Sequence, residues 1–117
     1  MFYLIIQVKM ITPITEIFDL AYKGKKGIYF LFDKGVNLVY IGKTNCIRRR
    51  IYQHLYSLNK KFPDEFIKYF CFIELSEDNF AFSKELEESM IRFYKPLFNN
   101  VPFENTQKII KEFKNDF

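Results

Sequence analysis

Two tyrosine-containing triplets and the arginine run behind them are the residues of this sequence best suited to chemistry. Gly27-Ile28-Tyr29 and Tyr40-Ile41-Gly42 are separated by a short segment, and Arg48-Arg49-Arg50 follows the second triplet. A tyrosine hydroxyl can position or activate water, and a fixed guanidinium can bind the non-bridging oxygens of a phosphate as charge develops on them. This combination favours chemistry at a phosphodiester.

Further candidate groups lie on two predicted helices. Arg50 and His54 are one helical turn apart at the edge of an apolar stripe, so both would overlook the same surface. Glu87 borders the apolar stripe of a later helix, and a carboxylate half sheltered beside a basic region suits a hard metal ion. For the two tyrosines, His54 and Glu87 the commoner fate is structural, whereas for the arginine run a solvated basic helix face and a phosphate-binding role are favoured equally.

Charge is divided unevenly along the chain. Residues 1–61 contain eleven Lys and Arg against three Asp and Glu, a net charge of +8, whereas residues 62–117 have a net charge of −4. The first half therefore favours a polyanionic partner such as nucleic acid. A basic pI near 9 also occurs in proteins that bind no nucleic acid, so charge alone does not establish a nucleic-acid partner.

Length and composition predict one cytoplasmic domain. The 117 residues suffice for one core, and the balance of apolar and charged residues is that of a globular protein. Cys46 and Cys71 form no CxxC pair and have no histidine cluster nearby, so neither a zinc site nor a disulfide framework is indicated. The apolar run at residues 2–6 is too short to span a membrane and lacks the features of a signal peptide.

The first half of the chain is predicted to form a helix and a β-hairpin. Residues 1–8 are an apolar run that reads equally as an edge strand or as dispensable leader sequence. A helix is expected over residues 12–24, with Ile14, Ile17, Phe18 and Ala21 as its apolar stripe. Strands over residues 27–33 and 37–43, joined by a short turn, then form the hairpin.

Side-chain alternation brings the two motif tyrosines toward one region. Tyr29 shares a strand face with Leu31, and on the partner strand Leu38, Tyr40 and Gly42 share a face. Gly42 is expected to leave room for a bulky ligand beside the backbone.

The rest of the chain is predicted to add three helices and a third strand. A helix capped by Thr44 or Asn45 runs to about Leu58, a strand covers residues 69–75, and a second major helix covers about residues 80–94, with Asp78 or Asn79 near its cap. A last amphipathic helix covers about residues 105–114. The residues expected to face inward are Ile47, Ile51, Leu55 and Leu58 in the first helix, Phe82, Leu86, Met90 and Phe93 in the second, and Ile109, Ile110 and Phe113 in the last.

With these motifs in this order, the sequence resembles the GIY-YIG nuclease superfamily. The resemblance runs over residues 27–99 and includes both name-giving triplets unchanged. Members usually place Lys or another polar residue after the second triplet, an essential Arg ten positions beyond its Tyr, and a His or Tyr four positions further on; these are Lys43, Arg50 and His54. The family's metal-binding Glu and its Pro-x-aromatic-Asn ending correspond to Glu87 and Pro96-Leu97-Phe98-Asn99.

The resemblance implies an α+β fold, an α/β sandwich with a small three-stranded antiparallel sheet flanked by helices. It implies a single domain over residues 1–117. The motif-bearing core covers residues 25–100, an N-terminal strand and helix extension covers residues 1–24, and a C-terminal helix lies within residues 101–117.

The resemblance also implies a DNA endonuclease that depends on Mg²⁺ or Mn²⁺. Glu87 would bind the metal, Arg50 would steady the phosphate, and a tyrosine would help to activate water. Either tyrosine fits that role, and Tyr40 is the better base if the nearby Lys43 lowers its pKa. His54 would bind phosphate or carry a proton, and Asn99 would brace the site. The catalytic set is therefore Tyr29, Tyr40, Lys43, Arg50, His54, Glu87 and Asn99, and the nucleic-acid-binding set is Lys25, Lys26, Lys43, Arg48, Arg49, Lys60 and Lys61.

Sequence specificity is expected to be weak, because the chain outside the catalytic module offers only an N-terminal segment and one helix. Targeting would then come from DNA structure, a partner protein or a homodimer, with no membrane and no small-molecule cofactor. The alternatives are a catalytically inactive nucleic-acid-binding module of the same fold, or a nuclease remnant of a mobile element. An unrelated α/β interaction protein would leave the candidate residues scattered in space.

Overall fold

A four-stranded antiparallel sheet forms the centre of the computed structural model, which describes residues 11–58 and 60–112. The strands are β1 (Thr12–Pro13), β2 (Gly27–Phe32), β3 (Leu38–Thr44) and β4 (Tyr69–Glu74), in the order β1-β4-β2-β3. β2 lies between two long strands, and each of its residues is buried. The predicted α+β class is confirmed, and the short strand β1 is one more than the three strands expected.

The helix predicted over residues 12–24 is replaced by β1 and two 3₁₀ turns. β1 pairs with the start of β4, at an edge position where a proline is tolerated because no partner needs its missing N–H. The turns cover Ile14–Phe18 and Leu20–Tyr22, and the extended backbone of Asp19 separates them. Ile17 is buried, but Phe18 and Ala21 are exposed, so the predicted stripe does not form. The strand proposed for residues 1–8 lies outside the described residues.

Helices cover both faces of the sheet, as an α/β sandwich requires. They are α1 (Ile47–Tyr56), α2 (Glu77–Phe80), α3 (Ser83–Tyr94) and α4 (Phe103–Glu112). One core cluster joins α1, α4 and the first 3₁₀ turn to one face of the sheet, and a second cluster joins α3 to the other face. Within the described residues no helix is long and apolar enough to cross a membrane.

The predicted inward faces are right except near the helix ends. Ile47, Ile51 and Leu55 are buried, but Leu58 is exposed because α1 ends at Tyr56. The other outcomes follow the same pattern: Met90 and Ile110 are buried, Leu86 and Ile109 are partly buried, Phe82 and Phe93 are exposed, and Phe113 lies outside the described residues.

The predicted helix caps are wrong by one or two residues for α1 and by three or four residues for α3, whose N-cap is Phe82. α1 begins after Cys46, and the Thr44 hydroxyl instead accepts a hydrogen bond from the Cys46 N–H at 3.0 Å. Ser76 caps the short helix α2 by accepting from the Asn79 N–H at 3.2 Å. These offsets come from turns whose geometry is set by tertiary contacts, which local patterns do not report.

A β-bulge changes the faces of β3. Leu31 lies opposite Tyr40 and Phe32 opposite Leu38, so Val39 is an extra residue on β3. Tyr40 therefore belongs to the α1-side cluster, whereas Leu38 packs on the α3 side. The prediction that both share a face is wrong, because strict alternation does not continue through a bulge.

The outer edge of β3 is occupied by the segment that follows α3. The Phe98 N–H donates to the Val39 carbonyl at 2.9 Å. The Asn99 side chain then makes two hydrogen bonds with the Ile41 backbone: its amide donates to the carbonyl at 2.6 Å, and its Oδ1 accepts from the N–H at 2.8 Å. This side chain takes the place of a neighbouring strand and fixes the part of β3 that carries the second motif.

Candidate active site

The deepest part of the candidate site is a hydrogen bond between Tyr29 and His54. Tyr29 Oη and His54 Nε2 are 2.7 Å apart, and the two residues are 0% and 7% exposed. Burial, reinforced by the charges of Arg50 and Lys61, lowers the pKa of His54 to about 3, so the imidazole is neutral at neutral pH. Burial likewise raises the pKa of Tyr29, which keeps its phenol protonated. The two residues form a neutral buried pair.

Gly42 makes room for this pair. It lies directly opposite Tyr29, and a Cβ at this position would be 2.3 Å from Tyr29 Oη. The space that Gly42 was expected to leave for a ligand is therefore filled by the Tyr29 phenol. The glycine of the second triplet is required by the tyrosine of the first.

Tyr40 is the motif tyrosine nearer to solvent. It is half-buried, and its ring centroid is 6.1 Å from that of Tyr29 and 4.9 Å from that of His54. Burial raises the pKa of Tyr40, and the charge of Arg50 opposes that increase. The predicted lowering of this pKa by Lys43 is wrong, since the two side chains leave opposite faces of β3.

The positive charge of Arg50 acts on both motif tyrosines. Its exposed side chain projects from α1 one turn before His54 and donates to Gln53 Oε1 at 3.2 Å. Its charge lowers the pKa of Tyr29 and of Tyr40 relative to the effect of burial alone. Arg50 and His54 thus overlook the hairpin together, as their spacing on one helix predicts.

Glu87 reaches the same region from the opposite layer of the fold. It lies half-buried on α3, which packs beside β3. Burial raises the pKa of its carboxyl, while a backbone hydrogen bond from Lys43 and the charge of that lysine oppose the increase. Glu87 in turn raises the pKa of Tyr29 and of Tyr40, and the charge of Arg50 acts on Glu87. The residues from the two layers therefore share one electrostatic environment.

Glu87 is the residue of this site that suits a divalent cation. Across residues 11–58 and 60–112, no group of three or more His, Cys, Asp or Glu side chains could hold a metal ion. A single carboxylate leaves most of the coordination shell to water and phosphate oxygens, which is the arrangement that Mg²⁺ favours. A hard oxygen donor of this kind suits a hard divalent cation.

A basic cleft adjoins these groups. It has a volume of about 370 Å³, and its charged lining residues, Lys43, Arg49 and Arg50, are all positive. Arg49 is held by Asn45, whose Oδ1 accepts from the guanidinium at 2.8 Å. Thr44, Asn45, Gln53 and Phe80 complete the lining, and the sequence patterns did not assign Gln53 or Phe80 to the site. The i, i+3 spacing of Gln53 from Arg50 is a local signal that could have identified it.

The other predicted nucleic-acid-binding residues are not among those that line this cleft. Lys25 pairs with Glu74 at 3.0 Å, and Lys60 pairs with Asp64 at 2.7 Å. Lys26 pairs with Glu77 and also lies 5.7 Å from the centroid of the Phe80 ring. Arg48 lies on the flank of α1 that faces away from Arg50, by helical geometry.

Lys61 lies closer to the tyrosines than its sequence context indicates. Its Nζ is 5.1 Å from the centroid of the Tyr40 ring and donates to the Val101 carbonyl at 2.8 Å. Its charge also contributes to the low pKa of His54. In the sequence, Lys60 and Lys61 are only a basic pair after a helix. The contact between Lys61 and Tyr40 joins residues that are distant in the sequence, so it leaves no local pattern.

Comparison with known protein families gives a match to most of the chain. The family described as the GIY-YIG catalytic domain matches residues 25–100. The matched range includes both tyrosine triplets, Arg50, His54, Glu87 and Asn99. A comparison with curated proteins gives no significant match.

Proposed function

The chain belongs to the GIY-YIG family, and on that premise we propose that it is a metal-dependent endonuclease that hydrolyses phosphodiester bonds in DNA. Membership supports a nuclease type of enzyme; the substrate, the metal and the residue roles are our proposal. One observation carries it: Tyr29, Tyr40, Arg50 and His54 meet on one side of the β3 edge, and Glu87 reaches them from the other layer.

Arg50 is proposed to bind the scissile phosphate. Its guanidinium is exposed toward the basic cleft and can contact two non-bridging oxygens at once. Lys43 and Arg49 line the same cleft, where they would contact neighbouring phosphates of the strand. This arrangement fixes the phosphate in front of the half-buried Tyr40 hydroxyl.

Glu87 would hold Mg²⁺ or Mn²⁺, which supplies Lewis-acid stabilisation of the charge on the phosphate oxygens. Its raised pKa reflects burial, and a bound cation favours the ionised carboxylate. Lys43, whose backbone N–H bonds to Glu87, orients that carboxylate.

Tyr40 is proposed to contact the attacking water, with Tyr29 and His54 behind it. Tyr40 is half-buried and lies within hydrogen-bonding reach of Tyr29, which in turn bonds to His54. As the water oxygen bonds to phosphorus, its proton moves to Tyr40, the Tyr40 proton moves to Tyr29, and the Tyr29 proton moves to His54 Nε2. The bond from phosphorus to the leaving oxygen breaks, and that oxygen takes a proton from solvent.

Substrate binding would prepare His54 to accept this proton. In the free protein the charges of Arg50 and Lys61 oppose protonation of the imidazole. The negative charge of a bound phosphate offsets them, which raises the pKa of His54 in the complex. The resting enzyme therefore keeps its proton acceptor neutral until DNA is bound.

The proposed activity is tested by incubating the protein with supercoiled plasmid and with branched DNA, in Mg²⁺, in Mn²⁺ and in EDTA. We expect cleavage with either metal and none in EDTA. Arg50→Gln should lower the cleavage rate by about 10² to 10³, the usual effect of removing one group that stabilises a transition-state anion. Arg92→Gln, an exposed arginine on α3, serves as the matched control and should retain the rate.

Two outcomes would contradict the proposal. One is a wild-type protein that binds DNA but cuts neither substrate with either metal, which would favour the inactive binding module. The other is an Arg50→Gln variant as active as Arg92→Gln.

A further inference from the structure

Three large aromatic rings lie exposed on α1 or beside it. Tyr52 and Tyr56 are 51% and 53% exposed, and Phe18, from the first 3₁₀ turn, is 46% exposed. The ring centroids of Tyr52 and Tyr56 are 5.5 Å apart, and those of Phe18 and Tyr56 are 6.3 Å apart. We refer to Phe18, Tyr52 and Tyr56 as the aromatic strip.

Within residues 11–58 and 60–112, the aromatic strip is not part of the core. None of its three rings belongs to either hydrophobic cluster that joins the helices to the sheet. Adjacent exposed rings on a small protein are a common feature of binding surfaces, whereas single exposed apolar side chains need no explanation. The strip is therefore a candidate binding surface.

Positive charge connects the strip to the basic cleft. α1 contains Arg48, Arg49 and Arg50 and no acidic residue. At 100° per residue, the solvent side of the helix runs from Arg50 at the cleft, across Arg49, to Tyr52. Arg48 lies one turn before Tyr52 on the same flank. A polyanion leaving the cleft over this helix would meet arginines first and aromatic rings next.

We propose that the aromatic strip binds unpaired nucleobases of a single-stranded segment that leaves the basic cleft across α1. Alternation of guanidinium groups with exposed rings suits a single strand, whose phosphates pair with arginine and whose free bases stack on aromatic side chains. Bases within a duplex are already stacked on each other and cannot use the rings. The proposal rests on the nuclease function above and names its substrate class: DNA in which a single-stranded segment adjoins a duplex.

The test compares binding of two DNA hairpins, one blunt and one with a single-stranded thymidine tail, in EDTA so that no cleavage occurs. Wild type should bind the tailed hairpin more tightly. The double variant Tyr52→Leu/Tyr56→Leu keeps apolar bulk but cannot stack, and it should lose about tenfold in affinity for the tailed hairpin alone. Tyr52→Phe/Tyr56→Phe keeps the rings and should bind both hairpins as wild type does. Leu20→Ala removes an exposed apolar side chain outside the strip and should also change nothing.

Several results would overturn the proposal. Equal wild-type affinity for the two hairpins, or unchanged binding by the leucine variant, would show that the rings do not stack bases. A wild-type dimer by sedimentation that becomes monomeric in the leucine variant would assign the strip to self-association instead. Because binding is measured without metal, these results are independent of the cleavage assay. The nuclease proposal would be overturned separately, by a wild-type protein that cleaves no substrate in that assay.

Discussion

The two motif tyrosines differ in exposure to solvent, and their proposed roles differ accordingly. Tyr29 is fully buried and bonded to His54, whereas Tyr40 is half-buried beside Arg50. Tyr40→Phe should therefore lower the single-turnover cleavage rate by about 10² to 10⁴, the usual range for a group that takes part in proton transfer. Tyr29→Phe leaves His54 Nε2 without its partner and should also reduce the free energy of unfolding, by about 1–3 kcal/mol.

These two variants are compared by quench-flow cleavage and by urea unfolding. If Tyr40→Phe cleaves at the wild-type rate while Tyr29→Phe is inactive and equally stable, the order of the proton relay is wrong.

The buried imidazole predicts how stability depends on pH. His54 has a pKa of about 3 in the folded protein against an ordinary value of 6.5, so between these values the unfolded chain binds the extra proton. The free energy of unfolding therefore falls as the pH drops below 6.5, and from pH 7 to pH 5 this residue alone costs about 2 kcal/mol.

Urea unfolding of wild type and His54→Gln at pH 7 and pH 5 isolates that contribution. The variant lacks the imidazole, so its stability should fall less on acidification. An equal fall in both proteins would show that His54 is protonated in the fold at pH 5.

At the scale of secondary structure, the site depends on how the outer edge of β3 is held. Asn99 supplies both hydrogen bonds to the Ile41 backbone, at 2.6 and 2.8 Å. Asn99→Ala would leave both backbone groups without this partner and should lower the free energy of unfolding by about 1–3 kcal/mol. Cleavage should also slow, because β3 carries Tyr40 and Lys43.

Asn100→Ala is the matched control, since this neighbouring side chain is exposed. Denaturant unfolding and a cleavage time course measure both effects. A stable and fully active Asn99→Ala variant would remove Asn99 from the positioning of the site.

Sequence patterns identified the helices and strands more reliably than their bulges, turns and exposed faces. The hairpin, α1 and α3 were predictable because strand alternation and helical apolar stripes are local signals. The bulge at Val39, the 3₁₀ turns after Pro13 and the exposure of Phe93 were not, because they depend on contacts between distant segments. Likewise, the spacing of Arg50 and His54 indicated a shared helical edge, but only the fold shows Lys61 against Tyr40.

At the scale of the whole molecule, the number of basic residues overstates how many are free to contact DNA. Three of the predicted DNA-contacting lysines, Lys25, Lys26 and Lys60, already pair with carboxylates, whereas Arg49 and Arg50 line the open cleft. Each phosphate contact contributes about 0.9 to the slope of log affinity against log salt concentration. Arg49→Gln should therefore reduce the slope for duplex DNA by about one phosphate contact.

Lys25→Gln should change that slope less, because Lys25 is paired with Glu74. Fluorescence anisotropy over a salt series in EDTA gives both slopes. Equal reductions in the two variants would mean that charge acts as a general field and not through the cleft.

Glu87, on the α3 side of the sheet, is proposed to complete a metal-dependent site with tyrosines on the α1 side. The most direct test is the single-turnover cleavage rate as a function of Mg²⁺ concentration for wild type, Glu87→Gln and Glu88→Gln. Glu88 is the exposed neighbour of Glu87 and shares its charge and helix. We predict that Glu88→Gln follows the wild-type Mg²⁺ curve and that Glu87→Gln loses at least about 10²-fold in rate at saturating Mg²⁺. A Glu87→Gln variant with the wild-type rate and Mg²⁺ dependence would contradict the account.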